Sequence, residues 1–300
     1  MSLLIATHNG AFHADDVLAV SLLRAFVDGE AQVVRSRSPQ DWERADVVVD
    51  VGGVYDPGRG RFDHHQKEYQ GPLSAAGMVL LWLEESSQID SGLAAELRVR
   101  LVEYVDDVDN GRVEPKAGVP CFASIVQLCN QGAEELEDFD RRFLDAVRVA
   151  DLLVEGLKSE HDEREDARTV VRAAMDEAER AGSNLLRLPR YVRWKPAYFA
   201  MGGETHPTEF VVMPGLDGSA RAIAIPPTEG SFGKKRPLPQ AWAGLVDEEL
   251  VAACGVPGAR FCHKNCFICV FDTEEHLLAA LGGAGLVSSG GEGVQISQED

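Results

Sequence analysis

Nine histidine and aspartate side chains near the N-terminus could act together on metal ions. They form four short clusters, which are His8, His13 and Asp15; Asp50; Asp63, His64 and His65; and Asp106 and Asp109. Imidazole and carboxylate ligands together suit manganese, iron, zinc or cobalt better than calcium. Nine candidates are too many for one ion and about right for two. Two divalent ions that share a bridging carboxylate can activate water and neutralise a phosphoryl group, which is the chemistry of phosphate-ester hydrolysis.

Each of these residues also has a structural explanation when it is taken alone. Histidine pairs are common, and an aspartate behind a strand often caps the next helix. Four separate clusters, each in a loop that follows a strand or a helix, are harder to explain in that way together. Closely packed carboxylates repel one another unless a cation is present, so a metal site would explain why they meet.

The elements that must position these clusters begin with alternating strands and helices. Apolar runs predict strands at 3–7, 31–36 and 47–51, and helices at 14–28 and 39–44. This spacing favours parallel strands joined by right-handed crossovers. Sites in open parallel sheets form at the carboxyl ends of the strands. His8, His13, Asp15 and Asp50 are therefore predicted to lie at one edge of a sheet.

The rest of the chain is predicted to be helical first and richer in strands later. Helical patterns cover 74–86, 92–105, 121–129 and the long charge-rich run 139–181, and short strands are expected at 209–213, 220–225, 259–262 and 266–271. The predicted organisation is a catalytic domain at 1–150, a helical linker at 151–187, a C-terminal domain at 188–285 and a flexible tail at 286–300.

Composition and charge narrow the classes of function. The 300 residues are 45% hydrophobic and 26% charged, which is ample for a core, and 29 basic against 49 acidic residues give a net charge of −20. Such a charge disfavours a general binder of long nucleic acids, which needs many Lys and Arg contacts to phosphates. It leaves open a short phosphorylated substrate that is reached through bound metal. Scattered cysteines and the lack of a long apolar run predict a cytoplasmic protein without a membrane span.

The clusters also belong to a longer ordered pattern that resembles the MYG1 (UPF0160) family, a branch of the DHH phosphoesterases. The matching segments are HNGAFHAD at 8–15, VVDVGGVYDP at 48–57, RFDHHQ at 61–66, VDDVDNG at 105–111, SF at 231–232, RPLPQAWAGL at 236–245 and GVPG at 255–258. The combined pattern spans most of the chain and is highly specific, whereas Asp-His-His alone would be weak.

The resemblance implies a fold, an activity and a set of ligands. The implied fold is α/β, with a DHH-type parallel-sheet domain that has helices on both faces and a smaller α+β C-terminal domain that holds substrate across a cleft. The implied activity is that of a phosphodiesterase or 3′–5′ exonuclease on RNA. The implied cofactor is a pair of divalent ions, usually Mn²⁺, with Mg²⁺, Zn²⁺, Fe²⁺ or Co²⁺ as alternatives.

Individual roles follow from the same resemblance. His8 and His13 would bind one ion and Asp15 the other, and Asp50 would bridge the two. His64 would bind the second ion, which Asp106 or Asp109 would complete, and Asp63 is counted with the ligands. His65 would be either a ligand of the second ion or a contact to phosphate that donates a proton. Arg236 would clamp phosphate from the second domain.

The C-terminal motif departs from the pattern of the family. Relatives read close to FVHASGFIGG where this chain has FCHKNCFICV at 261–270. His263 is kept, and it is expected to contact substrate, but Cys266 and Cys269 stand in place of glycines. The spacing of Cys262, Cys266 and Cys269 also resembles that of a zinc site. Buried structural cysteines are favoured, because alternation along a strand would put Cys269 on the face opposite to Cys262 and Cys266.

Two other functions stay open at this point. One is a phosphatase that acts on a small nucleotide or on pyrophosphate. The other is a metal-binding protein with a regulatory role that has lost catalysis through the altered C-terminal motif. The predicted partner is short RNA or a nucleotide, and the oligomeric state is left open, with a homodimer as one possibility. His161, His206 and His276 are interpreted as surface or structural residues.

Overall fold

The computed structural model describes residues 2–287. The chain divides into two compact units between His161 and Asp162. Nearly all of the predicted flexible tail at 286–300 lies outside the described residues. No helix within residues 2–287 has both the length and the apolar character needed to cross a bilayer.

A five-stranded sheet organises the first unit. Its strands are β1 (Leu4–Thr7), β2 (Gln32–Arg35), β3 (Val47–Val49), β4 (Tyr55–Asp56) and β5 (Arg61–Phe62). The spatial order is β2-β1-β3-β5-β4. β2, β1, β3 and β5 run parallel, and β4 is antiparallel to β5. The predicted parallel pairing is therefore confirmed, and β3 ends two residues earlier than the predicted 47–51.

Besides a 3-10 turn at Pro57–Arg59, eight helices of the described chain begin in this unit. They are α1 (Ala14–Phe26), α2 (Pro39–Arg44), α3 (Ala75–Glu85), α4 (Ser91–Leu97), a π-helix (Arg98–Val102), α5 (Glu103–Asp109), α6 (Phe122–Cys129) and α7 (Leu136–Ala181). The run from α4 through α5 is continuous and extends the predicted helix at 92–105. π-helical turns are rare and often lie near functional sites.

Helices cover both faces of the sheet, as predicted for an α/β domain. Ile5, Val47 and Val49 face a large core that includes the buried side of α1. Alternate residues of the same strands, Ala6 and Val48, face a smaller cluster against which Trp42 of α2 packs. The two-residue period of a strand explains this division.

The long helix α7 contributes to the cores of both units. Phe143, Val147 and Ala150 are fully buried in the core of the first unit. Further along, Ala167 and Val171 are buried in a core of the second unit. Apolar side chains at helical spacing therefore pack this charge-rich helix against both cores.

The second unit is built on a mixed sheet. Its strands are β6 (Leu185–Arg187), β7 (Phe210–Pro214), β8 (Ala220–Ala224), β9 (Ala259–Cys262) and β10 (Ile268–Phe271), in the order β6-β7-β8-β10-β9. β6 is parallel to β7, and the other neighbours are antiparallel. Three further helices are α8 (Trp194–Ala200), α9 (Asp247–Cys254) and α10 (Glu274–Gly283). The predicted α+β character is confirmed.

The β9–β10 hairpin corrects the expectation for the cysteines. Cys262 pairs directly with Cys269, and both are fully buried. The prediction that Cys269 points to the other face was wrong, because it counted along one strand while the chain reverses between them. Burial raises the pKa of the Cys262 thiol to about 12 and raises that of Cys269 as well. Neutral core thiols explain these residues better than a zinc site does.

Candidate metal centre

The predicted clusters meet at the carboxyl edge of the first sheet. His8 follows β1, Asp50 follows β3, and the segment Asp63–His65 follows β5. Helices α1 and α5 bring two more carboxylates to the same place. Asp109 Oδ2 lies 3.1 Å and Asp15 Oδ2 lies 3.9 Å from His64 Nε2.

Asp50 lies at the centre of this group and presents its two carboxylate oxygens to different histidines. Oδ2 is 3.3 Å from His8 Nε2. Oδ1 is 3.5 Å from His64 Nε2 and 3.4 Å from His65 Nδ1. Burial alone would raise the pKa of Asp50, but the contacts with His64 and His8 lower it to about 2. The side chain is therefore an anion held between two sets of imidazoles.

The backbone at Asp50 adopts a conformation that side chains rarely take. Its φ is +55°, in the left-handed region, where aspartate is tolerated better than most residues. The side chain is 1% exposed. A non-glycine residue held in this region costs about 1–3 kcal/mol and is often found at functional sites. The turn directs the Asp50 carboxylate into the cluster at the end of β3.

Two imidazoles are oriented by neighbouring oxygen atoms. His8 Nδ1 lies 3.2 Å from the carbonyl oxygen of Asn9, and His64 Nδ1 lies 3.3 Å from Asn110 Oδ1. Each contact favours a proton on Nδ1 and turns Nε2 toward the carboxylates, as in many histidine ligands of metals. Burial would lower the pKa of His64, but contacts with Asp109 and Asp50 raise it to about 10.

The first turn of α1 adds two fully buried aspartates. Burial, together with the charges of Asp50 and Asp109, raises the pKa of Asp15 well above its ordinary value. Burial also raises the pKa of Asp16, to about 7, although His8 opposes the shift. Asp16 Oδ1 accepts hydrogen bonds from the backbone N–H groups of His13 and Val17, and Oδ2 lies 3.3 Å from His8 Nε2.

The buried polar atoms of this cluster fit metal ligation. Four of them have no hydrogen-bond partner among the described residues, namely Asp15 Oδ1, Asp16 Oδ2, Asp50 Oδ1 and His64 Nε2. Apart from Asp15 Oδ1, these atoms lie 3.1–3.5 Å from an oppositely charged group of the cluster, but without the geometry of a hydrogen bond. A bound cation would satisfy them better than these contacts do. Three sets of side chains have ligand atoms within 4.8 Å of one another, and they are His8, His13 and Asp50; Asp50, His64 and His65; and His13, Asp15 and Asp109. Asp50 belongs to two of these sets.

Asp63 and Asp106, two of the predicted ligands, accept hydrogen bonds from other groups of the protein. Asp63 Oδ1 accepts from His65 Nδ1 at 2.9 Å, and its Oδ2 accepts from the Gly53 N–H at 2.6 Å. Asp106 Oδ1 accepts from the N–H and hydroxyl groups of Ser74, at 2.9 and 2.6 Å. Asp63 therefore orients His65, and Asp106 binds the first turn of α3. Of the two carboxylates of α5 that were left as alternatives, Asp109 is the one that lies in the cluster.

Sequence reasoning missed Asp16 and Asn110 as members of the site. Asp16 lies in the first turn of α1, where its Oδ1 accepts backbone N–H groups of the helix start. Its Oδ2 is buried and faces His8, which adds it to the cluster. Asn110 directly follows α5 and contacts His64. The signal that could have found both residues was their position directly beside a predicted ligand.

Comparison with known families now identifies the chain. The model of the uncharacterised protein family UPF0160 matches residues 4–281, which includes every residue of the cluster. The chain belongs to the UPF0160 family. Its relatives carry the name MYG1, so the predicted family is confirmed.

Three relatives of this family illustrate the range of organisms. A MYG1 protein of Chlamydia trachomatis is 39% identical over 280 residues, which cover 92% of this chain and 94% of the relative. The human MYG1 exonuclease is 32% identical over 314 residues, covering 92% and 84%. A MYG1 protein of Saccharomyces cerevisiae is 32% identical over 310 residues, covering 89% and 91%.

The basic residues at 234–236 lie in the second unit. Two of them, Lys235 and Arg236, form hydrogen bonds or ion pairs with other groups of that unit. Arg236 Nη1 lies 3.2 Å from Glu209 Oε2, and its Nη2 donates to the carbonyl oxygen of Gly285. Lys235 Nζ donates to the carbonyl oxygens of Gly203 and His206 at 2.6 and 2.7 Å. Lys235 therefore braces a turn of the second unit.

His263 and Cys266 lie in the connection between β9 and β10. The His263 ring packs against Phe267 with ring centroids 4.5 Å apart, and its Nδ1 accepts from the Asn265 N–H. Cys266 has a φ of +52°. A glycine at this position would adopt that conformation without strain, as the glycine of the resembled pattern would.

Proposed function

We propose that this protein is a metal-dependent phosphoesterase that hydrolyses phosphodiester bonds, acting as a 3′–5′ exonuclease on RNA or short oligonucleotides. The observation that carries this proposal is the position of Asp50, whose two buried oxygens face separate sets of histidines. Such a carboxylate is suited to bridge two ions. The human relative is named an exonuclease, which supports a nuclease-type activity for this member of the family.

The ligand sets suggest how two divalent ions, most simply Mn²⁺, would be held. His8, His13 and Asp50 would hold one ion. Asp15, Asp50, His64 and Asp109 would hold the other, and Asp16 lies close enough to His8 to complete the first site. When bound, such ions lower the pKa of water and neutralise charge on phosphate oxygens. The role of the protein is to hold these ligands dry and in fixed orientation.

His65 is placed to handle a proton or to contact phosphate. Its side chain is 61% exposed, whereas that of its neighbour Asp50 is buried. Asp63 accepts from both the backbone N–H and Nδ1 of His65, which fixes the ring and leaves Nε2 free for a substrate. When both ring nitrogens carry a proton, Nδ1 would donate to Asp63 and Nε2 would donate to a phosphate oxygen or give its proton to the leaving oxygen as a general acid.

The charge of the chain favours a short substrate. A net charge of −20 opposes the binding of long polyanions. A few nucleotides held at one cation-binding cluster avoid most of that repulsion. Arg236 and His263 stay proposed substrate contacts of the second unit, and both the DHH relationship and the cytoplasmic location stay predictions.

Hydrolysis of a short 5′-labelled RNA with Mn²⁺ tests this function. We expect products that shorten from the 3′ end, loss of activity with excess EDTA and its return on addition of Mn²⁺. Asp50→Asn keeps the size of the side chain and removes its charge, so it should reduce the rate at least 100-fold. A folded Asp50→Asn protein with the wild-type rate would refute the mechanism.

A phosphatase that acts on small nucleotides is the second candidate, and the same acidic surface favours it. A panel of pyrophosphate, mononucleotides and dinucleotides separates the two functions. Release of inorganic phosphate from pyrophosphate or mononucleotides, faster than cleavage of dinucleotides, would select the phosphatase. Normal metal content without turnover on any member of the panel would select the regulatory metal-binding protein.

A further inference from the structure

A cavity of about 750 Å³ opens beside the cluster, within the first unit. His8, Asp50 and His65 form the wall that it shares with the cluster, and Arg37 and Trp42 lie among its other lining residues. Cavities of roughly 300–1,000 Å³ are typical of sites for small molecules. Any ligand in this cavity would therefore lie next to the proposed metal ligands.

Arg37 is the cationic side chain of this cavity. It is exposed, and its closest polar contact among the described residues is His8 Nδ1, 3.5 Å from Nη2. No carboxylate of residues 2–287 forms an ion pair with it, in a region that holds five aspartates around the cluster. The guanidinium is thus available to an anion, and its planar fork suits phosphate.

Arg35, two residues before Arg37, differs from it because its guanidinium is already bound by other groups of the protein. Its Nη1 donates to Asp140 at 2.9 Å and its Nη2 donates to the carbonyl oxygen of Gly10 at 2.6 Å. The guanidinium also lies 4.6 Å from the centre of the Phe143 ring, and the side chain is 3% exposed. Arg35 holds the fold together at the end of β2, whereas Arg37 lines the cavity and forms no ion pair within residues 2–287.

Trp42 supplies a flat apolar wall to the same cavity. Its Nε1 donates to the carbonyl oxygen of Ser36 at 2.8 Å, which fixes the ring. A Cβ added at Gly52 would lie 3.5 Å from the indole, so the ring packs against the backbone there. A fixed aromatic wall near a free guanidinium is suited to a nucleoside that carries a phosphate.

We infer that this cavity binds one nucleoside monophosphate unit of the substrate, with its phosphate on Arg37 and its base or ribose against Trp42. This assignment rests on the proposed function and names a subsite for it. It makes Arg37 a substrate-binding residue, whereas the sequence suggested Arg236 for that role. Arg37 would then set the preference for a phosphorylated end over a bare nucleoside.

Calorimetric titration of AMP and adenosine into the Mn²⁺-loaded full chain tests the inference. Arg37→Ala should weaken AMP binding at least tenfold and leave adenosine binding within about twofold, because only the phosphate loses its partner. Arg37→Lys should restore part of the loss, since it keeps the charge without the fork. Arg59→Ala is the matched control, because Arg59 is an 84% exposed arginine of the same unit outside the cavity, and it should bind both ligands normally.

A repeat in EDTA excludes an indirect effect through His8. We expect the same ratio of wild-type to Arg37→Ala affinity for AMP with and without Mn²⁺. A loss that occurs only with Mn²⁺ and accompanies reduced metal content would overturn the inference, as would wild-type AMP affinity in Arg37→Ala. Trp42→Leu should weaken AMP and adenosine alike, and unchanged affinity for both would overturn the nucleoside part.

Failure of this inference is distinguishable from failure of the proposed function. RNA hydrolysis by the wild type, with the same KM and AMP affinity in Arg37→Ala, would remove the subsite and keep the function. Arg37-dependent AMP binding in a wild type that hydrolyses no RNA would keep the subsite and remove the function.

Discussion

Asp50 and His64 face each other across 3.5 Å with two buried atoms, Oδ1 and Nε2, neither of which completes a hydrogen bond with a described residue. Together with the second oxygen of Asp50, which faces His8, this relationship defines the candidate metal centre. In the metal-free protein the contact pairs an anion with an imidazolium, since the pKa of His64 is raised to about 10. A cation bound between them would replace that proton.

Asp50→Gly should remove both the proposed bridge and the ion pairs that Asp50 makes in the metal-free protein. Glycine adopts a φ of +55° without the strain that aspartate carries, but the change also removes the contacts with His64 and His8 that hold the pKa of Asp50 at about 2. Because a carboxylate with a lowered pKa stabilises the fold at neutral pH, we expect an unfolding free energy in EDTA about 1–3 kcal/mol below that of the wild type, with Mn²⁺ affinity reduced at least tenfold. Urea denaturation and Mn²⁺ titration measure the two quantities. Wild-type Mn²⁺ affinity in this variant would contradict the bridging role.

Asp106 and Asp109 of α5 should have different roles, the first in stability and the second in metal binding. Asp109→Ala should lower Mn²⁺ affinity at least tenfold and change the stability of the metal-free protein by less than about 1 kcal/mol, because the lost contact with His64 and the relieved repulsion with Asp15 oppose each other. Asp106→Ala should lower the unfolding free energy by about 2–4 kcal/mol, because it leaves the donors of Ser74 and Gly77 unpaired. Its Mn²⁺ affinity should stay within about threefold of the wild type. The reverse pattern would assign the ligand role to Asp106.

This pair also shows what the sequence could and could not specify. Asp106 and Asp109 are three residues apart on a helix, so both point to similar sides and either could reach the cluster. The packing of α3 decides between them, since a Cβ at Gly77 would collide with the Asp106 carboxylate. In contrast, the approach of His8 and Asp50 was predictable, because each follows a predicted apolar strand and parallel order brings the ends of those strands together. The strand before His64, β5, was not among the predicted strands.

The second unit was predicted less well, because its polar contacts join distant segments. Nothing local to Lys235 indicates that its amino group meets the carbonyl oxygens of Gly203 and His206, about thirty residues earlier. The prediction for the side of the sheet on which Cys269 lies was wrong for a related reason. The chain reverses in the β9–β10 hairpin, and this reversal places Cys269 opposite Cys262.

Lys235→Met should destabilise the second unit. The change removes hydrogen bonds to Gly203, His206 and the Tyr198 hydroxyl and leaves two carbonyl oxygens without a partner. The expected loss in unfolding free energy is about 2–4 kcal/mol. Lys234→Met is the control and should stay within about 0.5 kcal/mol of the wild type. Equal urea midpoints for the two variants would contradict the bracing role of Lys235.

His206 should make stability depend on pH. Burial lowers the pKa of His206 below its ordinary value, with Glu179 opposing and Lys235 adding to the shift. Below about pH 6.5 the unfolded chain therefore binds a proton that the folded chain does not, and stability falls as the pH decreases. His206→Asn should lose less stability than the wild type between pH 7 and pH 5. A steeper loss in the variant would show that protonated His206 is stabilised in the fold.

Anomalous scattering from crystals grown with Mn²⁺ tests the central claim most directly. The account predicts two peaks about 3.5–4 Å apart, one on the side of His8 and Asp50 Oδ2 and the other on the side of His64 and Asp50 Oδ1. Crystals of Asp50→Asn grown in the same way should lose at least one peak. A single peak away from Asp50, or none at all in the wild type, would contradict a dimetal centre bridged by this residue.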